Sequence, residues 1–466
     1  VVFYYLLRRP QIAIFFLMLW IPLESFFINM IPGSVFPFVR FFPEVLIYGL
    51  AIMVIVNWKK YKQKDFLGSF YLWFFIFIIL GIISALANSV EPTVAVLGIR
   101  QIIRFIFLVL IVSKIDLSPL WFKRFWILLT GVFLFEVILG FVQYLAGGAL
   151  DAFLLPQDAG QIGALYASVG VDQFWDLGTR VFATLGRYDR YGVFIGFISV
   201  IFFTMALYKD NRYKIFKYSW LWFILGVIAV ILSSSRAAIF GLILAIIWLF
   251  GVILKKYWVL AVFGIILAIS AGSIIYYTYV AGINVQYLAD SPSANIAERV
   301  VEPFSRQSLV GNYYGYGRTF WLVNVPQVVV ASSPLWGVGP GMFGSGTAST
   351  LNQRDVYSEL GLPWGAGGDI GVIDNSWFSL WGEFGTLGLI AFAAMIVVLY
   401  LMLGRYQGKD KNFQYLTYGA QAAIIFMVFA SFFANHFEIR PSMLLLWLIP
   451  IVIYRWRLAG HSSSQR

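Results

Sequence analysis

Long apolar runs separated by short polar connections occupy most of the chain. A helix needs ~20 apolar residues to cross the hydrocarbon of a bilayer. Twelve stretches are predicted as spans: roughly 11–31, 43–57, 66–86, 93–113, 121–146, 191–208, 218–233, 237–254, 257–278, 376–402, 414–434 and 439–455. Those at 43–57 and 218–233 are short, and the one at 93–113 carries Arg100 and Arg104. The first apolar stretch reads as a membrane span and not as a cleavable signal.

Composition agrees with this pattern. Of 466 residues 61% are hydrophobic and 12% charged, with a mean hydropathy of +0.82, which no soluble domain of this size shows. The expectation is an all-α polytopic membrane protein. No cysteine is present, so disulfides and thiolate metal sites are excluded. Two histidines, His436 and His461, cannot build an all-histidine metal site. No metal or cofactor is expected.

The net charge of +11 would suggest nucleic acid for a soluble protein, but its distribution gives it another meaning. Lysine and arginine gather in alternate connections: Arg8 and Arg9, then 58–65, 114–124, 209–217, Lys255 and Lys256, 405–412 and the tail. These segments hold twenty-one of the 33 basic residues, whereas the opposite short connections hold only Arg40, Arg236 and Arg440. The positive-inside rule then makes both termini cytoplasmic. The charge is a topology signal; membrane lipids are the partner, and nucleic acid is not.

The same orientation puts two long loops outside, 147–190 and 279–375, the second too long for a plain connector. The expected layout is a bundle over 1–278 containing the 147–190 loop, a large outer loop over 279–375, and three further spans with the tail over 376–466. Helices are predicted within the large loop at 294–309 and 318–331, followed by the turn-rich "SSPLWGVGPGMFGSG". No repeat relates the two halves.

Chemistry is therefore expected on the outer face. Arg187 and Arg190 in "LGRYDRYG", Arg236 in "SSSRAA" and Arg318 in "YGYGRTFWLV" each lie at the edge of a predicted helix on that side. Guanidinium stays charged and makes forked hydrogen bonds to phosphate oxygens. Arg236 and Arg318 also begin helices, where backbone N–H groups favour an anion. A lipid-linked diphosphate would suit such a cluster; alternatively each arginine snorkels to headgroups or pairs with a carboxylate. Arg100 and Arg104, one turn apart beside Gln101, form either a buried basic face on a lipid-phosphate path or part of an interfacial helix. Asp374 in "IDNSW" is either a helix cap or a general base for a sugar hydroxyl. Glu383 reads as an internal hydrogen-bonding partner. His436 in "ANHFEIRPS" is either an acid–base group or structural. "GVGPGMFGSG" lacks the GK[ST] of a P-loop and reads as a flexible hinge or lid.

The ordered set "GRYDRYG", "SSSRAAIFG", "GR..W", "SPLWGVGPGMF" and "DNSWFSLWGEFGTLGL", over roughly 180–392, resembles the O-antigen ligase and polymerase superfamily of bacterial inner-membrane proteins. The resemblance implies a GT-C-like fold, no metal, and glycan transfer from an undecaprenyl-diphosphate carrier on the periplasmic side. It assigns the diphosphate to Arg236 and Arg318 and to Arg187 or Arg190. The implied partners are undecaprenyl-diphosphate-linked oligosaccharide and the proteins that flip it and regulate chain length. The ligases carry a histidine before the asparagine of an "HN..L" motif. Asp374 stands there, before Asn375, which tilts the resemblance toward the polymerases. The alternatives are a ligase or protein oligosaccharyltransferase and, from another class, a transporter; midplane charges and repeated halves would mark the last.

Overall fold

A computed structural model describes residues 2–28, 31, 35–57, 67–115, 117–154, 161–162, 165–166, 178–208, 216–283, 298, 302, 305–404 and 410–463. Its helices, in chain order, are α1 (Val2–Arg8), α2 (Pro10–Ile28), α3 (Phe36–Val56), α4 (Gly68–Ala87), α5 (Pro92–Ile103), α6 (Phe107–Lys114), α7 (Pro119–Leu145), α8 (Asp151–Leu154), α9 (Tyr188–Ala206), α10 (Ser219–Ser233), α11 (Arg236–Trp248) and α12 (Tyr257–Ile275). After these come α13 (Arg306–Tyr314), α14 (Arg318–Asn324), α15 (Gly346–Thr350), α16 (Asp355–Glu359), α17 (Ser376–Gly404), α18 (Lys411–Ala430) and α19 (Arg440–Ser463). Among the described residues the only strands are two-residue pieces, Gln161–Ile162 and Leu165–Tyr166, paired antiparallel.

The protein is an all-α polytopic membrane protein. Nine helices among the described residues are long and apolar enough to cross a membrane, or ten if α5 and α6, bent by 49°, count as one broken span. The two other predicted spans correspond to α10, which has 15 residues, and α19, which begins at Arg440 and carries Arg455 and Arg457 near its end. Caps set several starts: Ser118 accepts from Trp121 N–H, Ser235 from Ala238 N–H, and Asp410 from Phe413 N–H. The predicted helix at 294–309 falls mostly outside the described residues, and α13 begins only at Arg306. The one at 318–331 is α14 continued by a π-turn over Val325–Val330.

Helix α9 is the centre of the bundle, with 89% of its most apolar window buried; the span beginning with α12 is only 6% buried and lies at the periphery. Gly192 and Gly196, four residues apart, allow the close packing around α9. A methyl at Gly192 would meet Ser235, and one at Gly196 would meet the Phe426 ring. Small residues at this spacing are how membrane helices approach one another.

The glycine-rich stretch 337–346, expected as a flexible hinge or lid, starts from a segment bonded to α17. Gly385 has φ 65°, which interrupts α17 and frees backbone groups there. The chain at 334–339 fills the gap: Val338 N–H donates to Gly382 O (2.8 Å), Gly339 N–H to Glu383 O (3.1 Å), and Thr386 N–H to Pro334 O (3.0 Å). The Glu383 carboxylate accepts from Phe343 N–H at 3.2 Å, the internal role expected of it. Buried backbone groups need such partners, and this segment supplies them. It leads into α15, which forms part of a cavity wall.

Candidate functional site

Several helix ends converge on one cavity of about 320 Å³. The C-terminal part of α2 contributes Glu24, and the first turns of α3 contribute Arg40. Leu97, Arg100, Gln101 and Arg104 recur three to four residues apart, so one face of α5 lines the cavity. The start of α9 adds Arg187, Asp189 and Arg190; the segment before α17 adds Asp374; the turn before α19 adds Asn435, Glu438 and Arg440. Hydroxyl groups of Thr347, Ser349 and Thr350, in or beside α15, line another part of the wall.

Six arginines thus border the space, and their partners differ. Glu44, one turn deeper in α3 than Arg40, takes three of them: Arg100 at 3.0 Å, Arg104 at 2.8 Å and Arg440 at 2.6 Å. Arg440 also pairs with Glu24 and donates to Arg40 O at 2.7 Å. Arg104 reaches Glu438 O as well, which ties α5 to the turn before α19 just where the α5–α6 helix breaks. Arg187 pairs with Asp189 at 3.1 Å, and the neighbouring carboxylate raises its pKa. Arg40 and Arg190 differ from the rest. Neither guanidinium makes a hydrogen bond or ion pair among the described residues, and the buried Nε of Arg190 is unbonded. Both guanidiniums thus keep donors unused by the described residues, in a cavity that the carboxylates Glu24, Asp189, Asp374 and Glu438 also line.

Polar groups of α7 hold the start of α9 in position. Gln143 accepts from the N–H groups of Phe182 (3.1 Å) and Ala183 (2.8 Å), and Glu136 accepts from Thr184 N–H at 3.2 Å. This fixes the turn that delivers Arg187 and Arg190.

The sequence-derived candidates do not all meet. Arg100, Arg104, Arg187, Arg190 and Asp374 line the cavity together. Arg318 stands at its rim, donating to Asp374 at 3.3 Å. Arg236 is not among the lining residues; it pairs with Glu302, whose other oxygen accepts from Ser308 at 2.6 Å. Arg100 and Arg104 both pair with Glu44 from α5, Arg104 buried and Arg100 with its side chain 24% exposed. Asp374 is not a helix cap: Asn375 takes that role, accepting from Phe378 N–H at 3.1 Å. The Asp374 carboxylate is left facing the cavity.

His436 is fully buried behind the wall, with Nδ1 3.2 Å from Ser442 Oγ and Nε2 without a partner among the described residues. Burial lowers its pKa to about 4, helped by Arg187 and Arg190 and opposed by Asp189 and Asp374. Unfolded, the imidazole titrates near ~6.5, so the unfolded chain takes its proton first. The contribution to stability is therefore present above that pH and is lost as pH falls toward 4, by roughly 3 kcal/mol. Thermal melts of wild type and His436→Gln between pH 7.5 and 4.5 should show a steeper decline for the wild type. Parallel declines would mean the imidazole does not resist protonation.

Glu438, also buried, accepts from Gly346 N–H (2.7 Å) and Gln101 (3.1 Å); burial pushes its pKa up. Glu24, Glu44, Arg40, Asp189 and Gln101 were not singled out as site residues by sequence reasoning. A signal for two of them was present: Glu24 in "IPLESFF" and Glu44 in "FFPEVLIYG" are carboxylates inside apolar runs, where an ionisable group needs a reason. Compared with known protein families and with curated proteins, the chain matches none.

Proposed function

We propose that the chain is an extracytoplasmic glycosyltransferase, of twelve spans and GT-C-like fold, that polymerises glycan carried on undecaprenyl diphosphate. One observation carries the reading: a polar cavity at the helix ends that brings together Arg40 and Arg190, whose guanidiniums make no hydrogen bond or ion pair among the described residues, and the Asp374 carboxylate, held by Arg318. In chain order the lysine-rich connections alternate with those that feed the cavity, which by the positive-inside rule supports a cavity facing the periplasm of a bacterial inner membrane.

The diphosphate diester brings two negative charges, which suit the two free cations. The acceptor hydroxyl attacks the anomeric carbon of the donor glycan as Asp374 takes its proton. The bond from that carbon to the diphosphate oxygen breaks, and undecaprenyl diphosphate departs with its developing charge on Arg190 and Arg40. One displacement inverts the anomeric centre without a covalent intermediate. His436, buried and neutral, supports the wall.

The test uses purified protein with lipid-linked repeat units as sole substrate, products resolved on gels. A ladder of longer lipid-linked glycans is expected. Arg40→Ala and Arg190→Ala should each slow it by about 10–100-fold, the worth of one charge-assisted phosphate contact. Elongation only after adding lipid A core would identify a ligase. No transfer to any acceptor would reject the glycosyltransferase reading.

A further inference from the structure

The loop that leads to Arg318 contains an unusual backbone. Tyr316 has φ 53°, a left-handed conformation that is a genuine outlier for a bulky residue and is strained. Three hydrogen bonds hold it there: Gly317 N–H to Asn312 O (2.7 Å), Trp321 Nε1–H to Tyr316 O (3.0 Å), and Gly367 N–H to Tyr316 O (3.4 Å). The side chain so held is 41% exposed, and Tyr314 beside it is 77% exposed. Phe320 backs the turn, its ring 5.2 Å from that of Tyr316 and 5.6 Å from that of Tyr313. Two residues after Tyr316, Arg318 uses one nitrogen on Asp374 and is itself 45% exposed, leaving other donors free.

We propose that Tyr314 and Tyr316, continuous with the cavity through Arg318 and Asp374, form the platform for the saccharide that accepts the transferred glycan. The inference rests on the function proposed above and adds the acceptor's place in it. If Asp374 takes the proton of the attacking hydroxyl, the acceptor approaches over Arg318, and these tyrosines are what it meets outside the cavity. A pyranose has an apolar C–H face and a rim of hydroxyls. Tyrosine offers the complementary pair, a flat apolar body with a polar tip, and Arg318 supplies donors. The charge beside the platform is balanced, Arg318 being paired with Asp374, which suits a neutral saccharide.

The experiment uses the full chain in proteoliposomes. The donor is lipid-linked glycan extracted from the cells that make this protein. The acceptor is the same unit on a C-glycosidic phosphonate, which can accept but cannot leave. Tyr314→Ala and Tyr316→Gly should each raise the acceptor KM by about three- to tenfold, with kcat within about twofold. Tyr314 is 77% exposed, so Tyr314→Ala should hardly change the melting temperature, which separates sugar binding from a structural role. Elongation by both variants with unchanged acceptor KM would overturn the platform while leaving the function standing; no elongation by wild type would remove both. Strong quenching of Tyr314→Trp by brominated phospholipid would place the residue in the headgroup layer and overturn the proposal as well.

Discussion

An Asp374→Asn protein is expected to fold and bind lipid-linked glycan as the wild type does, and to transfer it about 10²–10⁴-fold more slowly. Asparagine keeps the shape of the side chain and an oxygen for Arg318 to donate to, but it cannot take a proton. Stability should hardly change. The Arg318–Asp374 pair has side chains 45% and 41% exposed, and pairs this exposed are worth at most about 1 kcal/mol. Single-turnover rates with saturating donor, beside a binding measurement, would separate the two effects. A rate within threefold of wild type would take Asp374 out of the chemistry and move the search for the base to Glu24, Asp189 or Glu438, the other carboxylates lining the cavity.

Glu44→Gln is expected to be the most damaging single change to stability. One carboxylate holds Arg100, Arg104 and Arg440, with its own side chain 3% exposed. Neutralising it leaves the buried guanidiniums of Arg104 and Arg440 and the partly exposed one of Arg100 facing one another, with Glu24 as the remaining carboxylate partner of Arg440. Removing one partner from a buried ion pair typically costs about 3–5 kcal/mol. The detergent-solubilised variant should melt several degrees lower, and the double change Glu44→Gln/Arg104→Gln should recover part of the loss by restoring the charge balance. An unchanged melting temperature would mean that water or counterions already compensate these arginines. The loss should appear in folding before catalysis, since Glu44 stands behind the cavity wall.

Much of the architecture was legible from the chain. A run of apolar residues must bury its backbone polar groups in helical hydrogen bonds once it enters lipid, so span existence follows from local composition. The irregularities were harder to read. In "LWGEFGTLGL" nothing local distinguishes Gly385 from Gly382 or Gly388, yet only Gly385 breaks α17, because the segment at 334–339 pairs with the groups it frees. The cap of α17 turned on a single position: Asp374 and Asn375 are both good caps, and the turn from the large loop put Asn375 where its oxygen meets Phe378 N–H.

For the site, the chain alone put Arg187, Arg190, Arg236 and Arg318 at the edges of predicted helices on one side, because helix ends are where charge is tolerated at a membrane. Which of them meet was a matter of tertiary structure. Glu24 and Arg440, 416 residues apart, form one pair; Glu44 and Arg440, 396 residues apart, form another. Arg236, prominent in its motif, found Glu302 away from the cavity, whereas the guanidiniums of Arg40 and Arg190 make no hydrogen bond or ion pair among the described residues. Local sequence can state that a side chain is charged. Whether that charge is spent on a neighbour or remains free for a ligand depends on a carboxylate hundreds of residues away, and only the packing of the helices brings it near.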